Sequence, residues 1–301
     1  MESKKEKLKK FKLKGNESFN IREGWLRKGL KELKKNPALF STDDAMLDLG
    51  VGSKMVKAIK YWLLATGLVE EKYAKNKREY FTTEDCGEII SEYDPYFEDI
   101  FTLYVLHSNI VRNKELCIVW HLFFNNFEAQ DFTREDVYQV LKHELDKAIE
   151  QEVIYSDSLL KDDCYSLIRM YVKDMKEIAD PEEDLGSPFE ALGFISPNEL
   201  KSGRYLKTTP RYGKIDKLAI LYVMRKNMKE GKDSVSITEL LKEPNNIGKT
   251  FNLGRAVINE YLDELRLSGF ITINRTAGLD MVYFAKDITP GEILKRYYTQ
   301  G

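Results

Sequence analysis

The side chains able to do chemistry here are carboxylates, three histidines, three cysteines and a dense set of lysines in one short stretch. Carboxylates gather at Asp94/Glu98/Asp99, Asp162/Asp163 and Glu182/Glu183/Asp184. Metal-assisted hydrolysis of a phosphodiester needs two or three carboxylates converging on one or two Mg2+ ions. Spacing along a chain does not establish convergence. With 27 acidic residues between Phe81 and Leu200, such clusters arise by chance, and each is read as solvated surface. His107, His121 and His143 fall in helical stretches without a Cys or His at metal-ligand spacing, and His121, among apolar neighbours, is read as a core side chain. Cys86, Cys117 and Cys164 form no CxxC and fit a reduced, cytoplasmic compartment as small core residues. There is no phosphate loop, HExxH or GxSxG, so no catalytic residue, metal ligand or cofactor is assigned from the residues.

What remains is electrostatic chemistry. Lys54, Lys57, Lys60 and Tyr61 share one face of a helix expected from about Lys54 to Thr66, while Met55, Ile59, Trp62, Leu63 and Thr66 form another. Ser53 is placed to cap that helix and Gly67 to end it. Lys75, Lys77 and Arg78 lie in a polar connector between two expected strands, Leu68–Lys72 and Glu79–Thr83. Upstream, Thr42 is placed to cap a short helix with Asp43 and Asp44 in its first turn, and Gly50-Val51-Gly52 makes the turn between the helices. Helix, tight turn, basic helix and basic hairpin describe a winged helix-turn-helix, whose second helix enters the major groove and whose hairpin touches the phosphate backbone. Ser53, Lys54, Lys57, Lys60, Tyr61, Lys75, Lys77 and Arg78 are the candidate DNA contacts. The same fold also serves as a protein–protein module, and a lysine face can be plain solvated surface.

The elements that position this module follow. A basic tail, Lys4–Lys14, reads as mobile. A helix from about Arg22 to Lys35, with Trp25, Leu26, Leu30 and Leu33 as its core face, stops at Asn36-Pro37. Before it, Glu17 and Arg22 are close enough in sequence to pair. From Asp94 to about Lys176 the pattern is helical, with Phe97, Phe101, Tyr104, Val105 and Ser108 at helical steps and a nearly all-apolar helix at Glu115–Phe127. Thr133 caps the next helix, and Ser156 or Ser158 starts another; this pair resembles a helix-turn-helix whose acidic surface does not suit DNA. Ala179–Ser196 reads as a linker. Then helix Ile215–Met228, a strand and helix in Val235–Lys242, helix Asn252–Ser268, and strands Phe270–Asn274 and Met281–Ala285 repeat the order of the first module. On that long helix Arg255 and Asn259 sit among Glu260, Asp263 and Glu264, which favours a protein partner. The expected fold is mainly α with small β hairpins: a basic winged-helix domain at 1–90, an acidic helical domain at 91–180, a linker at 181–214 and a winged-helix-like domain at 215–301.

Charge supports that division. The net charge of -2 hides 20 Lys/Arg against 11 Asp/Glu in Met1–Tyr80, 9 against 27 in Phe81–Leu200 and 18 against 11 in Lys201–Gly301. Local fields decide what a surface attracts, because salt screens beyond about 10 Å. Basic ends suit a polyanion and an acidic centre suits proteins. Hydrophobic residues at 43% and charged residues at 32% fit a soluble globular protein. No apolar run is long enough for a bilayer, and the lysine-rich start lacks a signal-peptide core.

Several motifs carry a resemblance: NESFNIREGWL at Asn16–Leu26, LGVGSKMVKAIKYWLLATGLV at Leu49–Val69, DPYFED and TLYVLH within Asp94–His107, and WHLFFNNF at Trp120–Phe127. Pro188 to Gly193, Phe251–Leu253 and Thr276–Gly278 add to it. Together they resemble a bacterial domain-of-unknown-function family whose genes sit beside those for DNA phosphorothioation, over nearly the whole chain. The resemblance implies the DNA-nicking component of an Ssp-type system, with a cysteine desulfurase, a phosphoadenosine-phosphosulfate-reductase-like sulfurtransferase and an ATPase as partners. Mg2+ or Mn2+ is implied only if the chain nicks DNA. In the family pattern a histidine often precedes the glutamate of the first motif; here Asn16 stands there, which weighs against nicking. Asn16, Glu17 and Arg22 are motif residues of open role. Two functions therefore stand: a DNA-binding component of a phosphorothioation or defence system, or a non-catalytic winged-helix transcription regulator or adaptor.

Overall fold

The computed structural model describes residues 7–74, 77–172, 186–276, 279–285 and 287–300. Its first helix, α1 (Trp25–Lys35), buries Trp25, Leu26, Gly29, Leu30 and Leu33 on one face, as three- and four-residue spacing requires. Next come α2 (Ala45–Leu49) and α3 (Ser53–Ala65). Between them Gly50 takes a left-handed φ of 60°, which a side chain rarely adopts. Strands β1 (Val69–Ala74) and β2 (Lys77–Thr82) pair antiparallel, Val69 opposite Thr82. A turn of π-helix, Glu84–Glu88, begins where Thr83 accepts from the Gly87 amide. A Cβ on Gly87 would lie 1.9 Å from the Leu68 carbonyl, so only glycine lets this turn close on the hairpin.

After α4 (Ile89–Tyr93) come α5 (Ile100–Arg112) and α6 (Ile118–Asn126), both buried on most sides. Strand β3 (Asp131–Thr133) leads into α7 (Arg134–Ala148), where Thr133 and Asp136 form a capping box. Helix α8 (Asp157–Tyr171) precedes β4 (Ile195–Pro197) and β5 (Arg204–Lys207), and the three strands form a sheet ordered β3-β5-β4. Then follow α9 (Lys217–Lys226), β6 (Ser234–Ser236), α10 (Ile237–Lys242), α11 (Ile247–Thr250) and α12 (Arg255–Leu267). Finally β7 (Ile271–Thr276) and β8 (Leu279–Phe284) complete a sheet ordered β6-β8-β7, and α13 (Pro290–Gln300) packs on α9 and the π-turn.

The fold is mainly α with small antiparallel sheets, and one contiguous apolar core runs from Ile21 to Leu294. His107 lies inside that core with both ring nitrogens used: Nδ1 is 2.8 Å from the Tyr171 hydroxyl and Nε2 is 2.8 Å from the Thr250 carbonyl. With Nε2 donating to the carbonyl, Nδ1 accepts from Tyr171. Burial pushes its pKa down to about 3, so it stays a neutral core side chain. Tyr171→Phe is expected to leave Nδ1 unpaired and to cost about 1–3 kcal/mol, read by urea unfolding. Lys207 is buried against α6, donating to the Phe127 carbonyl at 2.6 Å; burial lowers its pKa to about 7.

Several expectations are corrected. Asp94–Asp99 is a loop, with Phe97 at φ 60°, because the Asp94 carboxylate accepts from the Glu98 and Asp99 amides and the Thr102 hydroxyl. Thr42 does not cap α2; its hydroxyl donates to the Leu39 carbonyl. The basic tail is docked from residue 7: the Leu8 amide donates to the Ala148 carbonyl (2.8 Å) and the Lys12 amide to the Glu115 carbonyl (2.8 Å). Leu8, Phe11 and Leu13, interrupting the lysines, pack on the core and were the signal for it. The sheet β3-β5-β4 and helix α13 were not foreseen. No helix among the described residues is long and apolar enough to cross a membrane.

Candidate nucleic-acid interface

Helix α3 buries Ala58, Ile59, Trp62, Leu63 and Ala65 and turns Ser53, Lys54 and Lys57 outward. Gly52, not Ser53, is its N-cap, and no side chain caps it. Lys60 is half-buried, its ammonium 6.0 Å from the centre of the Tyr80 ring. Burial holds the Lys60 ammonium below the usual lysine value, helped by the charges of Lys12, Arg78 and Lys57 and opposed by Glu71. Three cations, from the docked tail, α3 and β2, thus act on one half-buried lysine.

Tyr61 does not share that face. It is 4% exposed, and its hydroxyl donates to the Leu116 carbonyl at 2.8 Å. One residue turns a helix by about 100°, so Tyr61 follows Lys60 onto the side covered by the tail and α6. Its ring leaves no room at Gly15, where a Cβ would lie 2.5 Å away. Lys77 and Arg78 are exposed on β2, Arg78 3.6 Å from Glu71, and the Arg78 carbonyl accepts from the Ser41 hydroxyl. Lys75 lies outside the described residues.

The first motif forms a strained loop. Lys14, Glu17 and Ser18 all have positive φ, at 54°, 51° and 68°. Asn16 is buried and structural: its amide donates to the Ser166 hydroxyl at 2.9 Å, and that hydroxyl donates to Asn20 at 2.8 Å. Trp62 Nε1 donates to the Phe19 carbonyl, tying the loop to α3. Glu17 and Arg22 do not pair. Glu17 reaches Lys57 at 3.7 Å, while the Arg22 guanidinium lies over the Phe19 and Trp25 rings at 5.6 and 5.4 Å. Lys12 is the residue that sequence reasoning missed here, because it was assigned to a mobile tail.

The carboxylate clusters come apart. Asp94 is used as a loop acceptor, and Asp99 caps α5 while accepting from the Tyr297 hydroxyl. Asp162 pairs with Lys14 at 3.0 Å. Asp163 is buried and accepts from the Lys14 amide at 2.8 Å, and burial pushes its pKa up to about 7. Glu182/Glu183/Asp184 lies outside the described residues. Among the described residues no three His, Cys, Asp or Glu side chains gather closely enough to hold a metal ion. His143 is exposed, His121 Nδ1 is 2.9 Å from the Val111 carbonyl, and all three cysteines are buried. The arrangement around α3 can bind a polyanion.

On α12 the cations are matched locally, Arg255 to Asp280 at 3.2 Å and Arg266 to Asp263 at 3.5 Å, and Arg275 of β7 also reaches Asp263 at 3.8 Å. Around α3 the pairing is partial: Lys57 meets Glu17 and Arg78 meets Glu71, while Lys54 and Lys60 make no ion pair among the described residues.

Two solved structures share this fold, one described as a magnesium ion-bound SspB crystal structure (TM-score 0.82) and one as an SspB crystal structure (TM-score 0.81). Each is 23% identical to this chain, with 95% of this chain and 88% of the other covered. No curated protein matches the sequence. A family model aligns with residues 13–298, and the chain belongs to the family it describes, "Protein of unknown function (DUF4007)".

Proposed function

We propose that this protein is the DNA-binding component of a bacterial Ssp-type phosphorothioation or defence system. In this reading α2, α3 and the β1–β2 hairpin act as a winged helix-turn-helix, with α3 in the major groove and Lys77 and Arg78 on the backbone. The observation that carries it is one basic surface, with Lys54 and Lys57 exposed on α3 and Lys77 and Arg78 exposed on β2. The α9–α12 region with its β6-β8-β7 sheet is the second winged module. Its ion-paired α12 suits a protein partner, of which the cysteine desulfurase, the reductase-like sulfurtransferase and the ATPase of such a system are the candidates. The likeness of the fold to SspB supports the assignment to that system.

The deciding experiment is anisotropy with labelled duplex at several salt concentrations. A polyanion reader loses affinity steeply as salt rises, whereas salt-independent or absent binding sinks the proposal. Glu17 stands against Lys57, where a phosphate would sit, so Glu17→Gln is expected to tighten duplex binding about two- to fivefold by removing one repulsive charge. Unchanged or weaker binding would place the DNA elsewhere.

Magnesium- or manganese-dependent nicking is a second reading, favoured by the magnesium in one SspB structure. Supercoiled plasmid incubated with pure protein and either metal tests it: nicked circles support it, and their absence removes it. The transcription-regulator alternative is separated by binding-site selection, since an operator should exceed random duplex by several kcal/mol.

A further inference from the structure

Beside the docked N-terminal segment lies a second basic concavity. It is a cleft of about 710 Å3 between that segment, the ends of α5 and α7, one side of α6 and the Pro244-Asn245 turn. Lys7, Arg112, Lys114 and Lys147 line it against a single carboxylate, Glu144. Glu144 is taken by Lys147 at 2.9 Å and the Asn126 amide at 2.9 Å. The Arg112 guanidinium donates to the Asn227 amide oxygen, a neutral partner. Among the described residues Lys7, Arg112 and Lys114 make no ion pair. Like charges gathered in a concave surface focus the field outward, and such a cleft draws an anion.

The cleft is preformed. Asn245, at φ 65°, is clamped to α6 because its amide donates to the Asn125 side chain at 2.7 Å and its own Oδ1 accepts from Asn125 at 3.2 Å. The other wall is pinned by the bonds of Leu8 to Ala148 and Glu150. Leu8 is half-buried at the cleft wall, and Ile118 and Leu122 are buried beneath it. A space of this size admits one or two nucleotides and excludes a duplex, and a basic groove is what tracks the backbone of an unpaired strand. The route to the α3 face runs along Leu8–Lys12, where Lys10 and Lys12 are exposed. Four extended residues span about 13 Å.

We infer that this cleft binds a single strand of nucleic acid continuing from duplex held at α3. The inference rests on the DNA-binding reading above and adds the form of DNA bound. The test is anisotropy with a blunt duplex of about 16 base pairs, the same duplex with an oligothymidine tail of about eight nucleotides, and the free tail. The wild-type protein is expected to bind the tailed duplex about tenfold more tightly than the blunt one. Its salt slope should be steeper by about 0.7 for each cation engaged by the tail. Arg112→Ala with Lys147→Ala should bind tailed and blunt duplex alike, with blunt affinity unchanged. Lys114→Glu, at an exposed position, reads the same increment if the double variant melts early. Equal wild-type affinity for tailed and blunt duplex overturns the inference, as does an increment that survives both variants. Should wild-type protein bind no blunt duplex, the reading of α3 fails. The cleft is then judged on the free tail, bound by wild type and lost in the variants if the inference holds, unbound if it does not.

Discussion

Lys57→Ala combined with Lys60→Ala is expected to weaken duplex binding by about 60-fold near 0.1 M salt and to flatten the salt dependence by about 1.8. The figure follows from two lost phosphate contacts, each contributing about 0.9 to the slope of log K against log salt. Lys57 is outward on α3 and opposed only by Glu17, so it is available to a phosphate. Lys60 is the centre of the cation cluster, and removing it relieves the mutual repulsion while taking away the deepest charge. The repulsion makes the cluster costly without a polyanion, which is the physical reason for expecting one. Far-ultraviolet circular dichroism and the melting temperature control for the lost packing of Lys60 on Tyr80. A variant of native stability that binds like wild type would sink the α3 assignment. Lys54→Ala, one helical turn before Lys57, should add a smaller decrement, because Lys54 stands outside the cluster.

Asp163→Asn is expected to stabilise the protein by about 2 kcal/mol at pH 8 and to destabilise it by about 2 kcal/mol near pH 4. The Asp163 carboxyl is 4% exposed, and burial raises its pKa from 3.8 to about 7. Above pH 7 both folded and unfolded chains carry it ionised, and the folded chain bears the full cost of the buried charge. As pH falls from about 7 towards 3.8, the folded chain takes up a proton that the unfolded chain does not, so the penalty disappears. Asparagine keeps an oxygen for the Lys14 amide and has no charge to bury. The full linkage figure is about 4 kcal/mol, and the asparagine NH2, left without an assured partner, costs about 2 kcal/mol at either pH, so the sign of the effect changes between them. Urea unfolding at both pH values reads it. A difference between variant and wild type that is the same at both would show that Asp163 is ionised throughout.

Much of the architecture could be read directly from residue order. Trp25/Leu26/Leu30/Leu33 and Val137/Leu141/Leu145 name the buried faces of α1 and α7, because helix periodicity depends on neighbours three and four residues away. Gly50 and Gly67 mark helix ends, since left-handed backbone selects glycine locally, and Thr133 announces its cap for the same local reason. The motif resemblance reached the family shown by residues 13–298. The local signal was ambiguous for Tyr61, which differs from Lys60 by one position, and only the packing of α6 and the tail decided which of the two would be covered.

By itself the sequence determined a mainly helical chain, its basic end on α3, and the lack of any familiar nucleophile or metal motif. These depend on residue type and short spacing. Only the tertiary structure decided what was brought together or kept apart. It set Lys12 beside Lys60, Glu17 against Lys57 rather than Arg22, Asp94 and Asp163 into separate structural roles, and Lys7 beside Arg112 and Lys147 in one cleft. Such meetings join residues far apart in the chain. Their free energy comes from burying the apolar side chains beneath them, and a charge pattern along the backbone carries no record of that burial.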